Sequence, residues 1–433
     1  MGRLPVAAVV LLLALTACGG SAGDAPGARR TETIGYLGAA GGPLGPTSVA
    51  TSGGLQLAVE DVNAQGGVDG ATLRLAVRNA ASTSDGAAAS AEELVARDRA
   101  VALVGPSGAA ACAGATQVAR RHQVPLLGVT CDDHRLTSDP ELRNPDFVSL
   151  VPNTYMEGTA LGTDTGRLGS RRVFVVAPEE PAATSVTAAF AAALQKANPS
   201  ATIVDPPPTS YVPVPVDGSA PDWSPAVEAI RAARPDRVFS AATGAAGLAF
   251  VRQALAADPA FFDTYPTTAL ASVEDLEALG GAYPLHVRLA MRAPFFEPQG
   301  AAAGRFAERY RSRFGSYPPD AAVVAYDAVR LYATAAGSAR TFATGAVRSE
   351  ILGHRFPTLR GGSLTVRPLD GQANAGETIG TTARGDGRYP FPVLSGVSTV
   401  SGDDLLPPAG LVRELQSGQC AQGDFTSCPS WKG

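Results

Sequence analysis

Charge is scarce in this chain: 17% of its 433 residues are Asp, Glu, Lys or Arg, against roughly 25% in an average soluble domain. Its 35 Lys and Arg are outnumbered by 40 Asp and Glu, for a formal net charge of -5, and no basic stripe stands out. Phosphate neutralisation needs clustered cations, so a nucleic-acid partner is excluded. Histidine is scarcer still, with four residues. His122, His286 and His354 stand alone in the sequence, as surface or satisfied core residues rather than catalytic bases. No Gly-x-Ser-x-Gly elbow, HExxH pair or phosphate loop is present. Gly38 to Gly45 is glycine-rich after a strand but lacks the dinucleotide spacing. These absences argue against an enzyme and imply neither cofactor nor metal. Beyond the N-terminus no apolar run approaches the 20 or so residues of a membrane span, which excludes a multi-span protein.

What is present is material for a core. Hydrophobic residues make up 45% of the chain, and the length suits two or three domains of roughly 150 residues. The first segment reads as an address. A short positive start, Met1-Gly2-Arg3, precedes the apolar stretch Leu4 to Ala17, too short to span a bilayer but suited to a signal peptide over 1–17. It ends in Leu15-Thr16-Ala17-Cys18, which resembles a bacterial lipobox, with Cys18 as the lipidated residue. Residues 18–33 have the Gly/Ala/Ser composition of a flexible tether. The expected location is the extracytoplasmic face of the cell membrane, reached through a lipid anchor only.

Four cysteines remain, an even number that suits an exported chain. Cys420 and Cys428 enclose a short loop and are expected to pair. Cys112 and Cys131 would then pair if their strand-end loops are neighbours; four free buried thiols are the other reading. Cys131-Asp132-Asp133-His134 invites a metal reading, but four consecutive residues cannot all face one ion.

Short apolar runs alternate with helical patterns of 10 to 15 residues. Strands are expected at 33–37, 73–77, 101–104 and 124–129, with helices after Thr47 and over 87–97 and 109–121. A second series begins after Val151-Pro152, with strands at 172–176, 201–204, 237–241, 266–271 and 287–292 separated by helices. Such alternation implies α/β architecture with parallel sheets covered on both faces. Residues 205–222 are dense in proline, unable to join a central ladder, and read as a surface insertion. Two helices follow at 301–314 and 320–336; the Tyr326/Arg330 face of the latter reads as packing. The chain turns β-rich after Arg360-Gly361-Gly362, and a Gly/Pro/Ser-rich tail runs from Ser401.

The wording of these segments resembles a known family. The relevant stretches are Ile34-Gly35-Tyr36-Leu37 with Gly42-Pro43-Leu44, and Gly54 to Asn63 with Gly66-Gly67-Val68. To these add Val101 to Pro106, Val124 to Leu127, Pro235 to Val238, Tyr317-Pro318-Pro319 and Ala325 to Leu331. Together they resemble the type 1 periplasmic-binding-protein fold, in the branched-chain amino acid and amide/urea group of ABC importers. The resemblance implies two Rossmann-like lobes joined by three crossovers, closing on a small-molecule solute and presenting it to permease subunits. It places lobe 1 at 34–151 plus 293–360 and lobe 2 at 152–292 plus 361–400, with the tail at 401–433. The crossovers are expected near 151–152, 290–293 and 359–362.

It also carries over binding positions, several of which depart from the pattern. A hydroxyl residue that holds an amino-acid carboxylate falls here on Ala109, beside Gly108. The next loop's contacts fall on Thr130 and Asp132, the ammonium's acidic partner on Ala269, and aromatic positions on Ala182 and Thr243. Glu180 is a nearby acid of the second lobe. An Asp facing a carboxylate repels it, so the pocket is not expected to hold a free α-amino acid in the usual manner. Asp132 with Glu180 suits a ligand with donors: an amide, a urea-like group, a polyol or a cation. The expected solute is small and polar (amino-acid, amide or urea-like). Asp132 and Asp133 could instead cap the turn after their strand. The alternative function is a ligand-sensing or protein-interaction lipoprotein on the same scaffold, without a transport role.

Overall fold

The computed structural model describes residues 30–39, 45–204, 211–215, 219–296 and 300–431. The signal segment and Cys18 lie outside the described residues. The first part of the chain runs β1 (Thr31–Gly38), α1 (Gly45–Ala64), β2 (Thr72–Asn79), α2 (Ser84–Ala96), β3 (Ala100–Val104) and α3 (Ala109–His122). Then come β4 (Leu126–Gly128), α4 (Arg135–Ser138) and β5 (Phe147–Ser149). These strands form one parallel five-stranded sheet in the order β2-β1-β3-β4-β5.

After a first crossing at 150–153 the chain makes α5 (Thr154–Arg167), β6 (Arg172–Pro178), α6 (Pro181–Ala197), β7 (Thr202–Ile203), β8 (Tyr211–Val212) and α7 (Ser224–Ala233). It continues with β9 (Arg237–Ser240), α8 (Gly244–Ala257), α9 (Phe261–Thr264), β10 (Thr267–Leu270), α10 (Val273–Leu279) and β11 (Arg288–Met291). A second crossing returns it to the first sheet for α11 (Ala301–Phe314), α12 (Asp320–Ala339), α13 (Thr344–Ile351), and the hairpin β12 (Arg355–Pro357) and β13 (Ser363–Thr365). The chain ends with β14 (Glu377–Ala383), β15 (Val393–Val400), α14 (Gly402–Leu405) and α15 (Ala409–Gln416). The second sheet has the order β15-β14-β11-β10-β9-β6-β7, with β8 also on β6. It is parallel except where β14 joins β11 and β15.

Sequence and structure differ in four places. Tyr211 and Val212, inside the proline-dense segment, do pair with Ala177 and Pro178, at an edge where proline costs no ladder bond. The third crossing lies between Ala373 and Glu377 rather than at 359–362, because Leu364, Val366 and Ala373 are buried in the first core. The tail holds an amphipathic helix, α15, whose Leu411, Val412 and Leu415 are buried. Helix α5 lies in a stretch for which no element is expected from the sequence. Its Gly158, Gly162 and Gly166 lie against α6, where a Cβ at Gly162 would sit 2.9 Å from the Ala193 Cβ.

Each sheet has its own core. The first gathers Ile34, Leu55, Val104 and Leu127 with Val324, Ala328 and Tyr332 of α12, so the late helix closes the early sheet. Tyr326 donates to Asp61 and Arg330 to Gln65, across the α1–α12 contact. The second gathers Phe174, Trp223, Val238, Phe250 and Leu289. The first and third crossings run side by side: Gln372 donates to the Val151 carbonyl (2.8 Å) and accepts from Asn153 (3.1 Å).

Candidate functional site

In parallel sheets the strand C-termini and the following helix N-termini face one crevice. On the first sheet these ends are Gly105 to Ala109 after β3 and Val129 to His134 after β4. The two loops are tied twice. Cys112 and Cys131 form a disulfide, and Thr130 Oγ1 donates to the Pro106 carbonyl at 2.9 Å. With that proton committed, Ser107 Oγ donates to Thr130 Oγ1 over 3.2 Å. Thr130 therefore positions the neighbouring loop. Gly108 holds φ at 91°, in the region that favours glycine, and begins α3 with no side-chain cap. Free N–H groups at such a helix start suit an acceptor on a ligand.

On the second sheet, Glu180 directly precedes α6 and Thr243 directly precedes α8, again without side-chain caps. By contrast, α5 is capped by Asn153 and α10 by a Ser272/Asp275 capping box. Ala182 lies in the first turn of α6. Ala269 lies within β10 and lines a small void of about 20 Å³ with Gly244 and Ser240.

Asp132 is not a lone acid. Its carboxylate pairs with Arg292 at the second crossing. Arg292 also donates to Glu157 in the first turn of α5, at 2.5 and 2.9 Å, and its backbone N–H donates to Asp320 at the start of α12 (2.9 Å). One guanidinium thus joins a first-sheet loop, a second-sheet helix and a crossing. The outer half of this network is reachable, since the Arg292 and Asp132 side chains are 23% and 31% exposed.

Burial shapes the protonation here. It pushes Glu157 up to about 7, with Arg292 opposing and Asp132 adding to the rise. It pushes Asp320 up to about 6, and Glu377, at the start of β14, well above the usual carboxylate range. Both Glu377 carboxylate oxygens are buried without a hydrogen-bond partner. Burial disfavours the Arg292 charge, but Glu157 and then Asp132 hold its pKa above normal. Glu180, exposed at the rim, is raised by the protein around it and by Asp132. That influence brings Asp132 and Glu180 into one electrostatic neighbourhood from opposite sheets.

The other candidates separate cleanly. Asp133 is a turn residue: its Oδ1 accepts from the Arg135 backbone N–H at 3.0 Å, and it pairs with the Arg135 side chain at 2.6 Å. Cys420 and Cys428 form the second disulfide. Glu414 approaches both sulfurs, but disulfide sulfurs are not thiolate ligands. Sequence reasoning missed Arg292, Glu157, Asp320 and Glu377. The one local signal was a cation directly following the apolar strand Leu289-Ala290-Met291.

This arrangement of two sheets joined by three crossings matches a known class. A family model described as "Periplasmic binding protein" matches residues 31–386, and the chain belongs to that family. Its relatives are type 1 substrate-binding proteins of ABC transporters, which bind small solutes without catalysis and work with permeases outside the cytoplasm.

Among solved structures, an ABC transporter substrate-binding protein from Sphaerobacter thermophilus is 20% identical with a TM-score of 0.74, covering 86% of this chain and 98% of its own. A solute-binding protein from Rhodopseudomonas palustris BisB5, in complex with 3,4-dihydroxybenzoic acid, is 18% identical (TM-score 0.73), covering 86% and 98%. A leucine-binding protein from Thermotoga maritima is 16% identical (TM-score 0.71), covering 86% and 99%. No curated protein sequence matches. Among the described residues no helix is long and apolar enough to cross a membrane.

Proposed function

We propose that this chain is a lipid-anchored solute receptor of an ABC importer, held to the membrane by Cys18. Its solute is small and polar and carries adjacent donor and acceptor groups, as an amino acid, an amide or a urea does. The observation that carries this reading is the partly exposed Arg292–Asp132 pair beside the uncapped starts of α3 and α6. Paired, Asp132 no longer confronts the crevice as an unbalanced charge. The pair offers guanidinium donors next to carboxylate acceptors, and the helix starts add free backbone donors. Gly108, Ala109, Thr130, Asp132 and Glu180 are the proposed contacts, with Thr243 and Ala269 on the second-sheet wall.

Aromatic acids form a second reading, since relatives were solved with benzoate and dihydroxybenzoate and Arg292 is a fitting carboxylate partner. A thermal-shift screen of the purified protein against amino acids, amides, ureas, polyamines, sugars and hydroxybenzoates tests both, because a ligand that binds the folded state raises its stability. A stabilising amide, urea or amino acid supports the first reading, and a hydroxybenzoate the second. Asp132→Ala is expected to weaken the solute by at least about 1 kcal/mol, the scale of a charged hydrogen bond. Unchanged affinity removes Asp132 from the site. No stabilising solute in any class overturns the importer reading in favour of the sensor or interaction lipoprotein.

A further inference from the structure

A cavity of about 520 Å³ lies where the second and third crossings pass between the sheets. That is within the 300–1,000 Å³ of small-molecule sites. Its walls come from six places: residues 292–295, helices α11 and α12, the β12–β13 hairpin, residues 374–378, and the end of β15 running into α14. None of Gly108, Ala109, Thr130, Asp132, Glu180, Thr243 or Ala269 lines it, and Arg292 is the residue it shares with the crevice network.

The lining is two-faced. Phe306, Val323 and Leu364 form an apolar wall. The polar wall holds three guanidinium groups against one carboxylate, Asp403. Two of the three are committed: Arg292 to Asp132 and Glu157, and Arg360 to Asp327 and the Leu150 carbonyl. Arg355 is different. Its Nε donates to Ser363 Oγ at 3.1 Å, and among the described residues no carboxylate lies within ion-pair distance of it. Asp403 meanwhile accepts from Asn374 at 2.8 Å.

We infer that this cavity is a second ligand site, separate from the crevice, which takes an amphipathic carboxylate. The hydrocarbon or aromatic body lies on Phe306, Val323 and Leu364, and the carboxylate meets Arg355. Guanidinium matches a carboxylate in a two-point fork, a geometry an amine or alcohol cannot supply. The inference does not depend on what the crevice binds.

Calorimetric titration of the purified protein with 4-phenylbutyrate tests it, with 4-phenylbutylamine as the charge-reversed control. The acid is expected to bind saturably and the amine not. Arg355→Glu should lower the acid's affinity by at least about tenfold, the scale of a charge-assisted hydrogen bond. Thr399→Trp, an exposed strand position on the cavity wall, should abolish binding by filling the space. Unchanged thermal unfolding of Arg355→Glu establishes that its effect is local, and that variant alone decides if Thr399→Trp fails to fold. Absence of saturable binding, equal binding of the amine, or an unchanged affinity in Arg355→Glu overturns the inference. Loss in Asp132→Ala with Arg355→Glu unaffected places the acid in the crevice, which overturns the second site and leaves the importer reading standing.

Discussion

His134 Nε2 lies 2.9 Å from the Gly423 carbonyl oxygen, and the ring's other nitrogen lies 3.0 Å from Thr154 Oγ1. The first contact requires a proton on Nε2, so Nδ1 accepts from Thr154 in the neutral ring. A loop of the first sheet, a helix of the second and the C-terminal tail therefore meet on one imidazole. Phe425 packs edge-on against it, and α15 with Phe425 buries the α6 residue Ala189. Gln416 adds bonds to the Thr137 and Leu369 carbonyls. The tail straps both sheets together.

His134 gives that strap a pH dependence. Burial lowers its pKa below the usual 6.5 with help from Arg135, while Asp133, the Gly423 carbonyl and Asp424 oppose the shift. Between the lowered value and about 6.5 the folded chain binds fewer protons than the unfolded one, so stability is full above 6.5 and falls as pH drops. Hydrogen exchange over residues 409–428 should accelerate as pH falls from neutral, after correction for intrinsic rates. His134→Gln should flatten the response, and an identical slope in that variant rules the histidine out.

Arg292 sits between acids that burial makes costly to ionise. Replacing it with Met leaves Glu157 without its cation, and breaking a buried pair from one side costs about 3–5 kcal/mol. Urea unfolding should show a loss of this size; a change within about 0.5 kcal/mol, as at a typical surface position, contradicts the network.

Glu157 acts in the opposite pH direction from His134. Its folded pKa of about 7 exceeds the ordinary 4.5, so the folded state holds a proton that the unfolded chain releases. That contribution is complete below about 4.5 and is lost as pH rises toward 7. Stability of Glu157→Gln measured across this window should decline less than that of the native chain.

Gly162 admits no side chain. A Cβ there meets the Phe190 carbonyl and the Ala193 methyl. Gly162→Val should destabilise by about 3 kcal/mol, the upper range of overpacking, read as a lowered melting temperature. An exposed helical glycine with open space around it, Gly337, should by contrast accept alanine with a small gain from helix propensity.

Cys18 is expected to carry the lipid. In the native host, Cys18→Ala should move the protein from the membrane to the soluble fraction and abolish labelling by an alkyne fatty acid. Retention at the membrane in that variant contradicts the anchor.

Much of the architecture was legible because parallel strands buried on both faces read as continuous apolar runs, as in Val101 to Val104 and Val173 to Val176. The Cys420–Cys428 disulfide was expected from its short loop, whereas Cys112–Cys131 was conditional on two loops being neighbours, which the structure supplies. Helix α5 was not legible: with Gly158, Gly162 and Gly166 it has poor helix propensity, and it forms because α6 covers that glycine face. The crevice was half legible. Asp132 stood out after its strand, but Arg292 is 160 residues away in sequence, and nothing local joins them. The third crossing was misplaced because alternation at Leu364 and Val366 marks a strand without saying which core receives it.

Gln372 bridges Val151 and Asn153, so two of the three connecting strands are spliced before any bending occurs. Twisting one half against the other would strain both bonds, much as a double-leaf door hung on a shared post swings more readily than it skews.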